Sequence, residues 1–136
     1  MQMSFGMIFT IILVIIFLAF AFFAIQNFLN LQKEIQIKQF YDNFQDDITQ
    51  MYTSTQGKTQ VTYNLPSNVE QVCFEGGVEK NLLLELKRGY DPKAIDHLNM
   101  EKTLDGKDEV CAKVKDNKVT FVIELNYGDV GVTVKF

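Results

Sequence analysis

The first 32 residues carry no ionisable side chain, so all 13 basic and 17 acidic residues lie from Lys33 onward. The chain has no Trp, one His, two Cys and two Pro, and neither Gly nor Pro occurs between Gly6 and Gly57. One histidine and two cysteines are too few for a Cys/His metal centre, so no metal is expected. The net charge of −4 and the scattered Lys and Arg oppose a nucleic-acid partner, because phosphate binding needs clustered cations to release counterions. There is no Gly-rich phosphate loop, nucleophile elbow or haem-attachment motif, and no Asn-x-Ser/Thr sequon. The chain is therefore read as non-enzymatic, with no cofactor and no small-molecule substrate.

What is present in the uncharged segment is apolar. Residues 7–25, MIFTIILVIIFLAFAFFAI, hold one polar residue, Thr10, and 14 of Ile, Leu, Val or Phe. At 1.5 Å per residue this stretch spans roughly 29 Å, the thickness of a hydrocarbon core. Its insertion is favoured by roughly 4–8 kcal/mol. A cleaved secretory signal is the rival, since Ala19-Phe20-Ala21 has the small-x-small form. Against it, no Lys or Arg precedes the run, and apolar residues continue through Phe22, Phe23 and Ile25. A transmembrane helix is the expectation.

With no helix breaker before Gly57, that helix is expected to continue to about Met51, through a segment rich in Gln, Lys, Glu and Asp. At 100° per residue, Phe28, Leu31 and Ile35 share one face. Ile37, Tyr41, Phe44, Ile48, Met51 and Tyr52 fall on nearly the opposite one. The apolar side changes near Gln36, which implies two partners. One is the chain's own C-terminal domain, packed on the stripe from Ile37 to Tyr52; the other is neighbouring copies or lipid. The organisation expected is an apolar helix over residues 1–27, its amphipathic continuation over 28–56, and a β-rich head over 57–136.

After Gly57 the period falls from 3.6 to 2. Val61, Tyr63 and Leu65 alternate with polar residues until Pro66, and Val69–Glu75 follows as a second strand. Gly76-Gly77 forms a turn, and residues 78–87 form a third segment, strand or short helix. Residues 88–107 look irregular, with a Gly-Tyr-Asp-Pro turn and one helical turn starting near Pro92. Residues 109–115, an Asp116-Asn117 turn and Lys118–Leu125 read as a β-hairpin with Val119, Phe121, Ile123 and Leu125 on one face. A closing strand carries Val130, Val132, Val134 and Phe136. The fold class is α+β, with one long N-terminal helix packed on a small antiparallel sheet.

Cys73 and Cys111 each stand opposite in parity to apolar neighbours in expected strands, so they are either a disulfide or two free structural thiols. His97 has no Ser or Cys nucleophile nearby and is read as a surface residue. The run from Asp105 to Glu109 offers oxygen ligands without EF-hand spacing and is read as a polar turn rather than a calcium loop. Asp42, Asp46 and Asp47 are assigned to the solvated side of the helix, and Thr53, Ser54 and Thr55 remain open to O-linked sugar.

An uncharged apolar segment, an unbroken amphipathic continuation and a C-terminal β domain together resemble the type IV pilin superfamily, including archaeal pilins and pseudopilins. Ser4-Phe5-Gly6-Met7-Ile8-Phe9-Thr10 looks similar to a prepilin peptidase site, with Gly6 before the apolar run. The Glu common at the fifth mature position is Ile11 counted from Met7, or Phe5 counted from Met1, and no Lys or Arg precedes Gly6. Either a leader precedes Met1 or the chain is not processed as a pilin.

The resemblance implies a structural subunit of a surface filament, a homo-oligomer that sits in the membrane before assembly and polymerises by bundling N-terminal helices. The residues assigned to that bundle or to lipid are Met7, Ile8, Ile11, Ile12, Ile15, Leu18, Phe22, Ile25, Phe28, Leu31 and Ile35. The alternative is a single-pass membrane-anchored accessory or binding protein that does not polymerise. Lys33 and Lys38 argue for a cytoplasmic C-terminal side, whereas the cysteine pair favours an extracytoplasmic one. The extracytoplasmic placement is adopted.

Overall fold

The computed structural model describes residues 2, 4–77 and 79–136. One helix, α1 (Phe5–Thr53), is followed by strands β1 (Gly57–Asn64), β2 (Val69–Glu75), β3 (Leu82–Leu86) and β4 (Gly89–Lys93). A short helix, α2 (Met100–Leu104), precedes β5 (Glu109–Lys113), β6 (Lys118–Leu125) and β7 (Thr133–Lys135). The chain is α+β. It divides into two compact units, Met1–Ile35 and Gln36–Phe136.

Helix α1 begins where Ser4 caps it. The Met7 amide donates to the Ser4 carbonyl at 2.9 Å and lies 3.4 Å from its hydroxyl, satisfying a donor that has no partner inside the helix. The helix ends where the Ser54 amide and hydroxyl both donate to the Met51 carbonyl, and Gly57 then opens β1.

The strands of the second unit form two antiparallel sheets rather than the single sheet expected. One has the order β1-β6-β7 and the other β4-β3-β2-β5. The expected hairpin over residues 109–125 is where they part. Asp116 and Asn117 both adopt left-handed φ, 52° and 59°, as a two-residue turn of the type that matches strand twist requires. Lys115 and Lys118 exchange two backbone hydrogen bonds at 2.9 Å. Beyond that bridge the arms separate. Val114 donates to the Glu70 carbonyl as β5 joins β2, while β6 pairs with β1 from Gly57↔Leu125 to Asn64↔Lys118. The apolar residues of both arms demand burial, and covering one helix from two sides gives them more core than a flat ribbon would.

Three further expectations are corrected. The Gly-Tyr-Asp-Pro segment is strand β4, paired with β3, and Pro92 is tolerated because β4 lies at a sheet edge where its missing N–H interrupts no second ladder. The helical turn starts not near Pro92 but at Met100, after Asn99, whose side chain accepts from the Lys102 amide. In the closing segment only Thr133–Lys135 is strand; Val132 and Val134 are buried, but Val130 and Phe136 are exposed. The segment over residues 78–87 contains strand β3 (Leu82–Leu86), and its first residue, Val78, lies outside the described residues.

Residues of α1 from Ile37 onward complete the core. Phe44 is fully buried, with its ring centroid 5.7 Å from Tyr63 of β1, 6.1 Å from Phe74 of β2 and 5.6 Å from Phe121 of β6. One helix face therefore meets both sheets. That breadth explains Phe40, buried although absent from the expected stripe: two sheets need a wider ridge than one. Ile37, Tyr41 and Ile48 are buried as well, and Met51 is half-buried against the cluster. Tyr52 is 40 % exposed and stacks flat on His97, with ring centroids 4.0 Å apart.

Polar contacts fix the helix on the sheets. The Tyr41 hydroxyl donates to the Asp91 carbonyl at 2.8 Å. The Gln45 side-chain amide pairs with the Asp96 backbone in both directions. The Tyr63 hydroxyl donates to Asp47 at 2.5 Å, so Asp47, read as solvated, is a structural acceptor. Burial and this hydrogen bond push the Tyr63 phenol above its ordinary pKa. At Gly131 a Cβ would lie 2.8 Å from the His97 carbonyl oxygen, so only glycine lets the Leu98↔Val132 bridge form.

Phe44→Ala is expected to remove about 3–5 kcal/mol, because the cavity lies between two sheets and neither can close it alone. Denaturant titration of the detergent-solubilised chain, followed by near-ultraviolet circular dichroism, reads this loss. A cost under about 1 kcal/mol would show that the helix contributes little to the core.

Candidate membrane and assembly interface

Phe5, Met7, Ile8, Ile11, Ile12, Ile15, Leu18, Phe22 and Ile25 are all exposed within the chain, as are Phe17, Phe20 and Phe23 on the remaining sides. A helix apolar all round is covered by something other than water. Its single hydroxyl is already satisfied, since Thr10 Oγ1 donates to the Gly6 carbonyl at 2.8 Å, which lowers the cost of placing it in lipid. Among the described residues, one helix is thus long and apolar enough to cross a membrane.

The exposed apolar residues do not stop at Ile25. Phe28, Leu29, Leu31 and Ile35 are exposed too, among Asn27, Asn30, Gln32 and Glu34. From Phe5 to Ile35 the helix is roughly 45 Å long, against about 30 Å of hydrocarbon. The excess is an amphipathic surface whose large apolar side chains are exposed. At Ile37 the situation reverses, and the apolar side chains turn into the core described above.

In the unit Gln36–Phe136, β2 and β5 are bridged. Cys73 and Cys111 stand directly opposite each other, with Cα atoms 4.0 Å apart, and their sulfurs are bonded. The Glu109 carboxylate lies 3.1 Å from the Cys111 sulfur. On the same face, Gln71, Glu75, Leu83, Glu85 and Tyr90 join Glu109 and Cys111 around a shallow depression of about 570 Å³. Sequence reasoning paired the cysteines but missed this acidic patch, because Tyr90 was assigned to a turn and the Glu75↔Glu109 pairing exists only through the β2–β5 register.

His97 is exposed, held by its stack on Tyr52 with a left-handed φ of 68°. Asp105 and Gly106 form the left-handed exit from α2, a polar turn. Asp42 and Asp46 are exposed. Two surface pairs tie the later elements together, Lys102 with Asp129 and Lys135 with Glu124. The hydrogen bond from Lys102, then that from the Asn126 amide, lowers the Asp129 pKa, and the bond from Lys135 lowers that of Glu124.

No family model, curated protein or solved structure matches this chain.

Two outcomes are expected. Reducing the disulfide, whose cysteines are 38 positions apart, lowers stability by about 4 kcal/mol in the chain-entropy account, seen as an earlier denaturation midpoint. Because the folded pKa of Asp129 is depressed, its contribution is complete above the ordinary carboxylate range of about 4 and disappears as pH falls through the folded value. Asp129→Asn should therefore flatten part of the acid limb of the stability–pH curve and leave its slope near neutrality unchanged. An unaltered acid limb would remove Asp129 from the account.

Proposed function

We propose that this chain is a structural subunit of a type IV pilus-like surface filament, held in the membrane by α1 before assembly and polymerised by bundling of the N-terminal helices of many copies. The observation that carries this reading is the length of the exposed apolar surface. Lipid covers about 20 residues of a helix, yet large apolar side chains remain exposed from Phe5 to Ile35. Copies of the same helix cover both parts, the fully apolar segment and the face of Phe28, Leu31 and Ile35 beyond it. Packing then relies on interlocking Ile, Leu and Phe, because no small-xxx-small pair is centred in the span.

The continuation of α1 into the head's core supports the same function. The later residues of α1, among them Ile37, Phe44 and Ile48, belong to the head's core. The disulfide between β2 and β5 suits an extracytoplasmic head. No catalytic or cofactor role belongs to this reading.

A second reading, a membrane-anchored accessory protein that stays monomeric, is favoured by one observation. Gly6, the residue that resembles a peptidase site, lies within α1 directly after the Ser4 cap, not in an extended segment.

Electron microscopy of sheared surface material, with mass spectrometry to identify this chain, separates the two. Filaments containing the chain are expected, and Leu31→Lys with Phe28→Asp should abolish them while membrane insertion and head folding persist. Filaments of wild-type yield from that double variant would remove the proposed face from the interface. Recovery of the native chain only as a detergent-soluble monomer would establish the second reading.

A further inference from the structure

The outer face of the four-stranded sheet holds an arrangement that a disulfide alone does not require. On β2, strand alternation puts Cys73 and Glu75 on the face opposite Val72 and Phe74; Cys73 is itself fully buried and Glu75 half-buried. On β5 the corresponding residues are Glu109 and Cys111, flanking Val110, which packs against the core. Antiparallel register sets Cys73 opposite Cys111 and Glu75 opposite Glu109. Two adjacent cross-strand pairs thus bring two sulfurs and two carboxylates onto one face.

Directly opposed like charges destabilise a sheet unless a cation lies between them. Neither Glu75 nor Glu109 belongs to an ion pair among the described residues, and the cation on the same face of β5, Lys113, stands opposite Gln71. The two cysteine sulfurs and a Glu109 oxygen already lie within 4.8 Å of one another. The depression on this face leaves Glu75, Glu109 and Cys111 open to solvent.

We infer that Cys73, Cys111, Glu109 and Glu75 form a tetrahedral site for a thiophilic divalent cation of the Zn²⁺ class when the Cys73–Cys111 disulfide is reduced. Zinc takes thiolate at about 2.3 Å and carboxylate at about 2.0–2.2 Å, so a tetrahedron needs its sulfurs under about 4 Å apart. Cross-strand cysteines with Cα atoms 4.0 Å apart reach that separation by side-chain rotation, without moving either strand. Glu109 supplies the third ligand from its present position. Glu75, placed opposite it by register, supplies the fourth and relieves the carboxylate pair.

The chemistry balances with a phosphine or dithiol as reductant. A phosphine attacks one sulfur and breaks the S–S bond; water then delivers its oxygen to phosphorus and its two hydrogens to the sulfurs, giving phosphine oxide and two thiols. Metal binding displaces those two thiol protons. The oxidised chain offers no thiolate and binds no metal here. The site would make the β2–β5 junction closable in two ways, by a covalent bond or by a cation. It is independent of whether the chain polymerises.

Cobalt(II) titration of the full-length chain in detergent, reduced anaerobically with a phosphine, tests this. One equivalent should bind, with thiolate-to-cobalt charge transfer and the intense visible bands of a tetrahedral centre, and Zn²⁺ should displace it. The oxidised chain should show neither. Glu109→Gln and Glu75→Gln should each weaken binding by at least the about tenfold seen on losing even an outer-shell partner, with the disulfide still forming in air. Zn²⁺ should also raise the denaturation midpoint of the reduced chain. The inference is overturned if the reduced, folded chain takes up no cobalt, or if the double Gln variant gives an unchanged spectrum and affinity. It is overturned equally if reduction abolishes the sheet signal in far-ultraviolet circular dichroism and Zn²⁺ does not restore it.

Discussion

The head of this protein is organised around one aromatic side chain. Phe44 projects from a helix into the meeting point of two sheets, touching Tyr63, Phe74 and Phe121, which come from three different strands. A domain of roughly this size has little core to spare. Here a substantial part of it belongs to a helix that begins at Phe5. Without residues 37–51 both sheets would expose their inner faces, so head and helix are one folding problem from Gln36 onward.

That constraint shapes the whole chain. The helix needs apolar residues on one side after Gln36 for the head, and apolar residues on all sides before Ile25 for a non-aqueous surrounding. Phe28, Leu31 and Ile35 follow the fully apolar run and are exposed. The polar contacts from Tyr41, Gln45 and Asp47 fix the rotation of residues 37–51 on the sheets. The exposed apolar residues up to Ile35 motivate the proposed filament, while those from Ile37 onward serve the fold.

The sequence was most readable where a single period persisted. Residues 61–64 and 118–125 alternate, and each lies in a strand with the expected face inward, while 69–75 is a strand whose register shifts between Val69 and Gln71. It was least readable at β4, where Tyr90, Asp91 and Pro92 have the composition of a turn and become a strand only because β3 offers them a ladder. Phe40 was overlooked because the width of a helix's buried face depends on what it meets. Tyr52 went the other way: its spacing fitted the stripe, but the chain beneath it is a loop, and it stacks on His97 at the surface. For the candidate interface, composition marked the apolar residues, while the acidic patch was invisible because its members are distant in sequence.

By itself the sequence determined the long helix, its uncharged N-terminal part, the change of apolar side near Gln36, and the parity that sets both cysteines opposite their apolar neighbours. These follow from local rules, in which residue type and spacing fix helix continuity, side-chain direction and affinity for lipid. Only the tertiary structure decided that the strands form two sheets, that the arms of the Asp116-Asn117 turn part to join different ones, and that Glu75 faces Glu109 beside the disulfide. Strand partners are chosen by non-local burial and register. A period of two shows which side of a strand is apolar and says nothing of which strand lies beside it.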